Sequence, residues 1–145
     1  MKNSILKISL LAVFFLTGLT GNAQKEKITY DKETSEILVN GVAHSKMVKT
    51  RAGIVSLNYD FSIQNLDDEE LIFMKFKTEK RYNRQTGQNE TKVYYDITFI
   101  GTGQQVRRNG SLGERGAMKI VVKNKLIKDN NIDPSAEKRY ININR

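Results

Sequence analysis

The sequence contains no cysteine and no tryptophan, and it has one histidine and one proline. Without cysteine, the chain forms no disulfide bond, holds no iron–sulfur cluster and offers no thiolate nucleophile or thiolate zinc ligand. The single histidine, His44, has no carboxylate beside it in the sequence, which is a weak basis for general-base catalysis or metal binding. We therefore expect His44 to be a surface or half-buried strand residue, and we expect no catalytic, metal or cofactor site.

Long apolar runs are also missing, except near the start of the chain. A basic segment that includes Lys2 and Lys7 precedes an apolar core, and small residues follow up to Ala23. This order is typical of a cleavable signal peptide over residues 1–23. The apolar core spans about 12 residues, whereas a membrane span needs roughly 20. We therefore expect cleavage before Gln24, no remaining membrane span, and no lipid anchor because no cysteine follows.

The expected mature chain, residues 24–145, has the size of a single domain. Export with a cleaved signal peptide predicts that this domain is periplasmic or secreted. The full sequence has 24 basic and 16 acidic residues, which gives a net charge of +8. Cationic proteins attract anionic partners, and in the envelope these are lipid head groups, acidic glycans and acidic protein faces. No nucleic-acid-binding motif is present, so we expect no nucleic acid partner.

Two-residue alternation predicts the main strands. From Ser56 to Ile63 the pattern is unbroken, with Leu57, Tyr59, Phe61 and Ile63 on the face expected to be buried. The segment Val93–Phe99 alternates in the same way, with Tyr94 pointing outward. Leu71–Lys77 is apolar on both faces at its start, which favours a central strand.

Turn residues divide the shorter strands. Asn40-Gly41 is a strong hairpin signal between a strand ending at Val39 and a return strand over residues 42–48. A further strand is expected over residues 28–30. Gly101-Thr102-Gly103 predicts a bend, after which residues 104–107 suit a short edge strand.

The C-terminal third changes its periodicity. Residues 114–127 place an apolar stripe at helical spacing, although the β-branched run Ile120-Val121-Val122 would also suit a strand. Asp133-Pro134 predicts a capped helix start. That helix is expected to run to about Arg139 and to be followed by a short strand at residues 140–143. The whole pattern predicts an α+β fold: an antiparallel sheet of about five to seven strands with one C-terminal helix packed on one face.

Basic and aromatic residues cluster around a polar segment, residues 79–92, which we interpret as a long hairpin tip. These residues are the candidate partner contacts: Lys80, Arg81, Tyr82, Arg84, Tyr94, Arg107 and Arg108. Arginine and tyrosine are frequent at protein interfaces, and cations suit an anionic envelope partner. The oligomeric state is left open by the sequence.

Two acidic segments carry the oxygen ligands that a hard cation such as Ca²⁺ prefers. Asp67-Asp68-Glu69-Glu70 is expected to be a solvated turn, because four consecutive acids cannot all point at one ion. Residues 129–133 match the start of a calcium loop, but Pro134 replaces the required glycine and Tyr140 the required glutamate. A helix C-cap at Asn130 or Asn131 and an N-cap at Asp133 are the expected roles instead, and calcium binding stays open.

Four parts of the chain form a recognisable set: the leader ending Asn22-Ala23-Gln24, and residues 37–42, 71–75 and 95–99, the last followed by the basic helix. Together they resemble small exported proteins of unknown function from Bacteroidota-type bacteria. The resemblance implies an exported α+β domain of unknown function and transfers no catalytic or binding residue.

Three functions remain open from the sequence. The favoured hypothesis is a non-enzymatic binding module for a protein or envelope component. The first alternative is a small hydrolase that uses two carboxylates, for example Asp60 or Asp96, as acid and base. The second is a secreted inhibitor or toxin-like factor that acts through the 79–92 hairpin.

Overall fold

The computed structural model describes residues 26–54 and 56–145. The predicted signal peptide, residues 1–23, lies outside the described residues. The strands in the described ranges are β1 (Ile28–Tyr30), β2 (Glu36–Val39), β3 (Val42–Arg51), β4 (Tyr59–Gln64), β5 (Glu70–Asn83), β6 (Gln88–Phe99), β7 (Gln105–Asn109), β8 (Ile127–Lys128) and β9 (Asn131–Ile132). The helices are α1 (Glu114–Lys123) and α2 (Pro134–Asn144).

Seven strands form one antiparallel sheet in which every strand lies beside its neighbours in the chain, in the order β1 to β7. Strands β8 and β9 form a separate small hairpin. The predicted α+β class and the antiparallel sheet with C-terminal helical cover are confirmed. Strand β5 is central, as expected, and β7 is an edge strand.

The hydrophobic core lies between one face of the sheet, called the inner face, and the two helices. Alternate residues of the central strands supply the sheet side of the core. They include Phe61, Ile63, Ile72, Met74, Tyr95, Ile97 and Phe99, all at most 1% exposed. The helical segment contributes Ala117, Val121, Leu126, Ala136, Tyr140 and Ile141. The predicted inward positions of Phe61, Ile63, Tyr95, Ile97 and Phe99 are therefore confirmed.

The two-residue alternation from Ser56 predicts a longer strand than β4, which begins at Tyr59. Leu57, which was expected to be buried, is 91% exposed, and β4 begins only at Tyr59. Residues before Tyr59 turn locally instead: the Ser56 hydroxyl accepts a hydrogen bond from the Asn58 N–H at 3.0 Å, and the Ala52 N–H donates to the Asn58 carbonyl at 3.0 Å. The prediction for Leu57 was wrong because a two-residue period continues into this turn.

The C-terminal residues form a longer helix than expected. The predicted strand at residues 140–143 is wrong, because α2 continues to Asn144. Ala136 and Tyr140, and likewise Glu137 and Ile141, are four residues apart and buried, which places them on one helical stripe. The N-cap at Asp133 is confirmed: its carboxylate accepts hydrogen bonds from the N–H groups of Ser135 and Ala136 at 2.9 and 3.2 Å.

Helix α1 begins at Glu114 as predicted but ends at Lys123, with Asn124 as its C-cap. The expected C-cap at Asn130 or Asn131 is wrong. Asp129 and Asn130 have φ values of 49° and 63°, and they form the two-residue turn between β8 and β9. Asn40 and Gly41, with φ values of 54° and 84°, form the predicted hairpin turn between β2 and β3.

The Asn130 side chain joins this C-terminal hairpin to the acidic turn of residues 65–69. Its amide nitrogen donates to Asp67 Oδ2 at 2.6 Å, and its oxygen accepts from the Leu66 N–H at 2.8 Å. The four acids of residues 67–70 are exposed, as expected, and Asp68 pairs with Lys46 at 2.6 Å. Both acidic segments thus make structural contacts within the chain.

Candidate binding surfaces

The 79–92 segment is a hairpin, as predicted, but its arms are strands rather than a loop. Strands β5 and β6 stay in register up to the pair Asn83 and Gln88, and a tight turn that includes Gly87 joins them. The register of β4 with β5 stops at Met74, and β7 pairs with β6 only up to Tyr94. In the described part of the chain, residues 78–92 therefore form a two-stranded arm beyond the sheet, which we call the ribbon.

The structure divides the predicted contact residues between the two faces of the ribbon and sheet. Lys80 and Tyr82 share the inner side with Ile72 and Met74, since side chains alternate along β5. Arg81 points to the opposite, outer side. Tyr94 and Arg107 also lie on the outer face, Arg108 lies on the inner face, and Arg84 lies in the ribbon turn.

The outer-face arginines are held in a network of ion pairs. Arg81 donates to both carboxylate oxygens of Glu79, at 3.0 and 3.2 Å. Arg107 lies 3.9 Å from Glu79 and 3.5 Å from Asp96, and its guanidinium carbon is 3.9 Å from the centre of the Tyr94 ring. The hydrogen bond from Arg81 lowers the pKa of Glu79. Both arginines therefore already contact a carboxylate, and Arg107 also contacts the Tyr94 ring. A ligand would have to displace these contacts.

The three other candidate residues on the ribbon, Lys80, Tyr82 and Arg84, are exposed. Tyr82 is 64% exposed, and Lys80 and Arg84 flank it two residues to either side. No ion pair found among the described residues involves either cation. An exposed aromatic ring between two free cations suits contact with an anionic surface, because the ring adds apolar area to the electrostatic attraction.

Arg108 lies on the inner face of the sheet, which faces the core. It pairs with Tyr95 across the strands β6 and β7, and it is half-buried. Its Nη1 atom is buried and has no hydrogen-bond partner among the described residues. Burial raises the pKa of nearby Tyr140, and the positive charge of Arg108 opposes this rise.

Two carboxylates do come close together, as the hydrolase hypothesis requires. Glu79 and Asp96 both lie within 4 Å of Arg107. A general acid needs a carboxyl group with a raised pKa, whereas Arg81 and Arg107 lower the pKa of Glu79. Asp60 is the other suggested residue, and its carboxylate accepts a hydrogen bond from the Phe76 N–H at 2.7 Å. This bond lies just beyond the point where the main-chain pairing of β4 with β5 stops at Met74. These surroundings favour structural roles for the three carboxylates.

His44 is a half-buried strand residue, as predicted. It lies on β3, and its Nδ1 atom is 3.1 Å from the Ser45 hydroxyl. Burial lowers the pKa of His44, which keeps the ring neutral at pH 7. Among the described residues, no three histidine or acidic side chains are close enough to share a metal ion.

A second cationic surface lies where β1 runs beside α1; the sequence indicates the basic helix but not its position next to β1. One wall consists of residues before, on and after β1, namely 26–30 and Lys32. The other wall lies along α1 and consists of Glu114, Arg115, Met118, Lys119 and Lys123. We call this surface the seam groove; it consists of two adjoining depressions of about 620 and 330 Å³. The signal in the sequence was the spacing of Arg115, Lys119 and Lys123, which puts three cations on one helix face.

Comparisons of the chain with protein-family models, with curated proteins and with solved structures give no match. Neither helix in the described ranges combines the length and apolar character needed to cross a membrane. The functional assignment therefore depends on the chemistry of the ribbon and the seam groove.

Proposed function

We propose that the protein is an exported, non-enzymatic binding module that contacts a protein or an anionic component of the cell envelope through the ribbon. The observation that carries this proposal is the arm of residues 78–92, which extends beyond the sheet with Tyr82, Lys80 and Arg84 exposed. The export part of the proposal is supported by the three-part pattern of residues 1–23.

The division of charges supports contact at the ribbon rather than at the outer face of the sheet. On the outer face, each arginine already lies against a carboxylate, so binding an anion there would break existing pairs. Lys80 and Arg84 have no such pair among the described residues, and their long side chains are solvated. An anionic partner can therefore bind them without first removing an internal acid.

A vesicle-binding assay tests the anionic-surface version of this function. The reference protein and the triple variant Lys80→Glu, Tyr82→Ala, Arg84→Glu are mixed with phosphatidylglycerol vesicles or phosphatidylcholine vesicles, and bound protein is measured after sedimentation. We expect binding to the anionic vesicles only, with affinity falling as salt rises and falling at least about tenfold in the triple variant.

A matched control separates the ribbon from total charge. The double variant Lys128→Glu, Lys138→Glu removes the same net charge at two exposed positions away from the ribbon. It should lose less than about threefold in affinity, because screened charges act over roughly one Debye length. Equal losses in the two variants would contradict a specific role of the ribbon.

A protein partner is tested by pull-down from envelope extract at low salt with the same three proteins. A partner retained by the reference and the control but lost by the triple variant would support the protein version. No ribbon-dependent binding in either assay would overturn the proposal.

The protruding ribbon also suits the inhibitor hypothesis, because an arm that stands clear of the sheet can enter a cleft of a partner. Replacing residues 79–92 by a two-residue Asn-Gly turn would shorten the hairpin without touching the core. An inhibitor would lose its effect on the partner's activity in this variant. A binding module would lose retention of the partner while the partner's activity stayed the same with and without it.

A further inference from the structure

The seam groove carries an excess of positive charge that the chain itself does not neutralise. Lys27, Lys32, Arg115, Lys119 and Lys123 are all exposed around it. Glu26 and Glu114 are the acids at its walls, and Glu114 is engaged in an ion pair with Lys49 on β3. None of the ion pairs formed by the described residues includes any of the five cations. The groove therefore favours an acidic occupant.

The edge of β1 offers main-chain groups to that occupant. The Asn40 N–H donates to the Lys27 carbonyl at 2.9 Å, and the Asp31 N–H donates to the Glu36 carbonyl at 2.9 Å. In an antiparallel pair, residues alternate between facing the partner strand and facing away from it. Ile28 and Tyr30 therefore point their N–H and C=O groups away from β2, towards the free edge of the sheet.

Free strand edges pair readily with another extended chain, and proteins usually protect them. Strand β1 contains no proline, no glycine and no charged residue over Ile28–Tyr30. At the other edge, β7 carries Arg107 and Arg108 within the strand. Beside β1, which is three residues long, the described residues place several cations, and these repel a cationic strand while they attract an acidic one.

The spacing of charges matches an extended peptide. Alternate residues of a strand are roughly 6.7 Å apart, and residues four apart on a helix are about 6.0 Å apart. Arg115, Lys119 and Lys123 follow the four-residue helical repeat along the groove. Acidic side chains at every second position of an added strand would therefore each lie near one of these cations.

We infer that the seam groove binds an extended acidic segment of a partner protein, which adds a strand to β1 and pairs alternate carboxylates with Arg115, Lys119 and Lys123. This site is separate from the ribbon and goes beyond the proposed function. Residues 1–25 do not suit the groove, because they carry Lys2, Lys7 and Lys25 and no acid. A second copy paired through β1 would bring the two sets of groove cations together.

A peptide-binding assay tests this inference with two labelled peptides of equal composition. One peptide alternates threonine and glutamate over eight residues, and the other has four glutamates followed by four threonines. Fluorescence anisotropy with the full chain should show at least about tenfold tighter binding of the alternating peptide, because only that peptide matches the strand spacing. Equal binding of the two peptides would indicate general attraction of anions and would overturn the inference.

Variants test the charges and the main chain separately. Lys119→Glu with Lys123→Glu should weaken the alternating peptide about tenfold or more, whereas Lys80→Glu with Arg84→Glu, which has the same change in charge, should leave it within about twofold. Ile28→Pro removes the outward N–H of β1, and Ile28→Ala removes the same side chain but keeps that N–H. The proline variant should bind more weakly than the alanine variant, and equal affinities would contradict strand addition.

The remaining outcomes are distinguished by simple measurements. Circular dichroism must show that both Ile28 variants keep the sheet signal. If Ile28→Pro unfolds, shifts of the Ile28 and Tyr30 amide resonances on adding the peptide replace it, and unshifted resonances would overturn the inference. Self-association that Ile28→Pro removes and Ile28→Ala keeps would identify a second copy as the occupant and would also overturn it. Failure of this assay leaves the ribbon assays untouched, because their variants lie in a different element.

Discussion

Tyr95, on β6, connects the sheet to the first residue of β4 and to the segment just before helix α1. Its ring is fully buried and contacts the rings of Phe61 and Phe76 at centroid distances of 6.1 and 5.5 Å. Its hydroxyl lies 3.0 Å from the Tyr59 carbonyl and 3.2 Å from the Leu112 carbonyl. One hydroxyl thus serves two segments that are far apart in the sequence.

The substitution Tyr95→Phe removes only this hydroxyl and keeps the ring in place. The hydroxyl has a single proton, so it donates to one carbonyl at a time, and its loss costs one buried hydrogen bond rather than two. Leaving a buried acceptor without its donor costs about 1–3 kcal/mol. For a domain of this size, that corresponds to a fall in Tm of about 4–12 °C.

The assay is urea unfolding followed by circular dichroism, with Tyr94→Phe as the control. Tyr94 is the preceding residue on the opposite face, and its hydroxyl makes no hydrogen bond to another described residue. The control should change the free energy of unfolding by less than about 0.5 kcal/mol. The m-value should be the same in all three proteins, since the surface exposed on unfolding is unchanged.

The pH dependence provides a second measurement on the same variant. Burial raises the pKa of Tyr95 above 10.0, its ordinary value, so the unfolded chain loses this proton at lower pH than the folded protein does. The stabilisation is complete below about pH 10 and is lost as the pH rises from there through the folded-state pKa. The free energy of unfolding of Tyr95→Phe should therefore fall less steeply than that of the reference protein as the pH rises above about 10. Equal stability of the two variants at pH 7 would refute the assigned role of the hydroxyl.

Two further predictions test the strand boundary and a turn. Ile63→Ala should lower the free energy of unfolding by about 2–4 kcal/mol, because Ile63 is 0% exposed. Leu57→Ala should change it by less than about 0.5 kcal/mol. A large effect of Leu57→Ala in thermal melts would contradict the exposed turn. Gly41→Ala should lower the free energy of unfolding by about 1–2 kcal/mol, because Gly41 has a φ of 84°. Gly101 lies in equally open space without a positive φ, so Gly101→Ala should change the free energy of unfolding by less than about 0.5 kcal/mol. Equal values in urea titrations would show that the turn at Gly41 relaxes.

The strands with one buried face could be predicted from the sequence because burial imposes a two-residue period on their side chains. Phe61 and Ile97 are on the expected face for this reason. The ribbon arms were interpreted as a loop tip because both of their faces are solvated, so no hydrophobic period marks them as strands. The same period misplaced Leu57, because side chains in a turn can continue the alternation by chance.

The predicted C-terminal helix is shorter than α2 for a related reason. Tyr140-Ile141-Asn142-Ile143 alternates over four residues, which is too short a window to separate a strand from a helix. The four-residue spacing of Ala136 and Tyr140 was the better signal. The seam groove could not be predicted, because its two walls are about 90 residues apart in the chain and only the tertiary structure brings them together.

The meander order of the sheet has a consequence for how the protein forms. Each strand pairs with the strand made just before it, so no hydrogen-bonded pair has to wait for a distant segment. Because chain closure over short loops is entropically cheap, such a sheet can assemble hairpin by hairpin, faster than all-β folds of the same size with long crossovers. The apolar side of that growing sheet stays exposed to water until residues 114–144 have been made, because the two helices that cover it lie in that later segment.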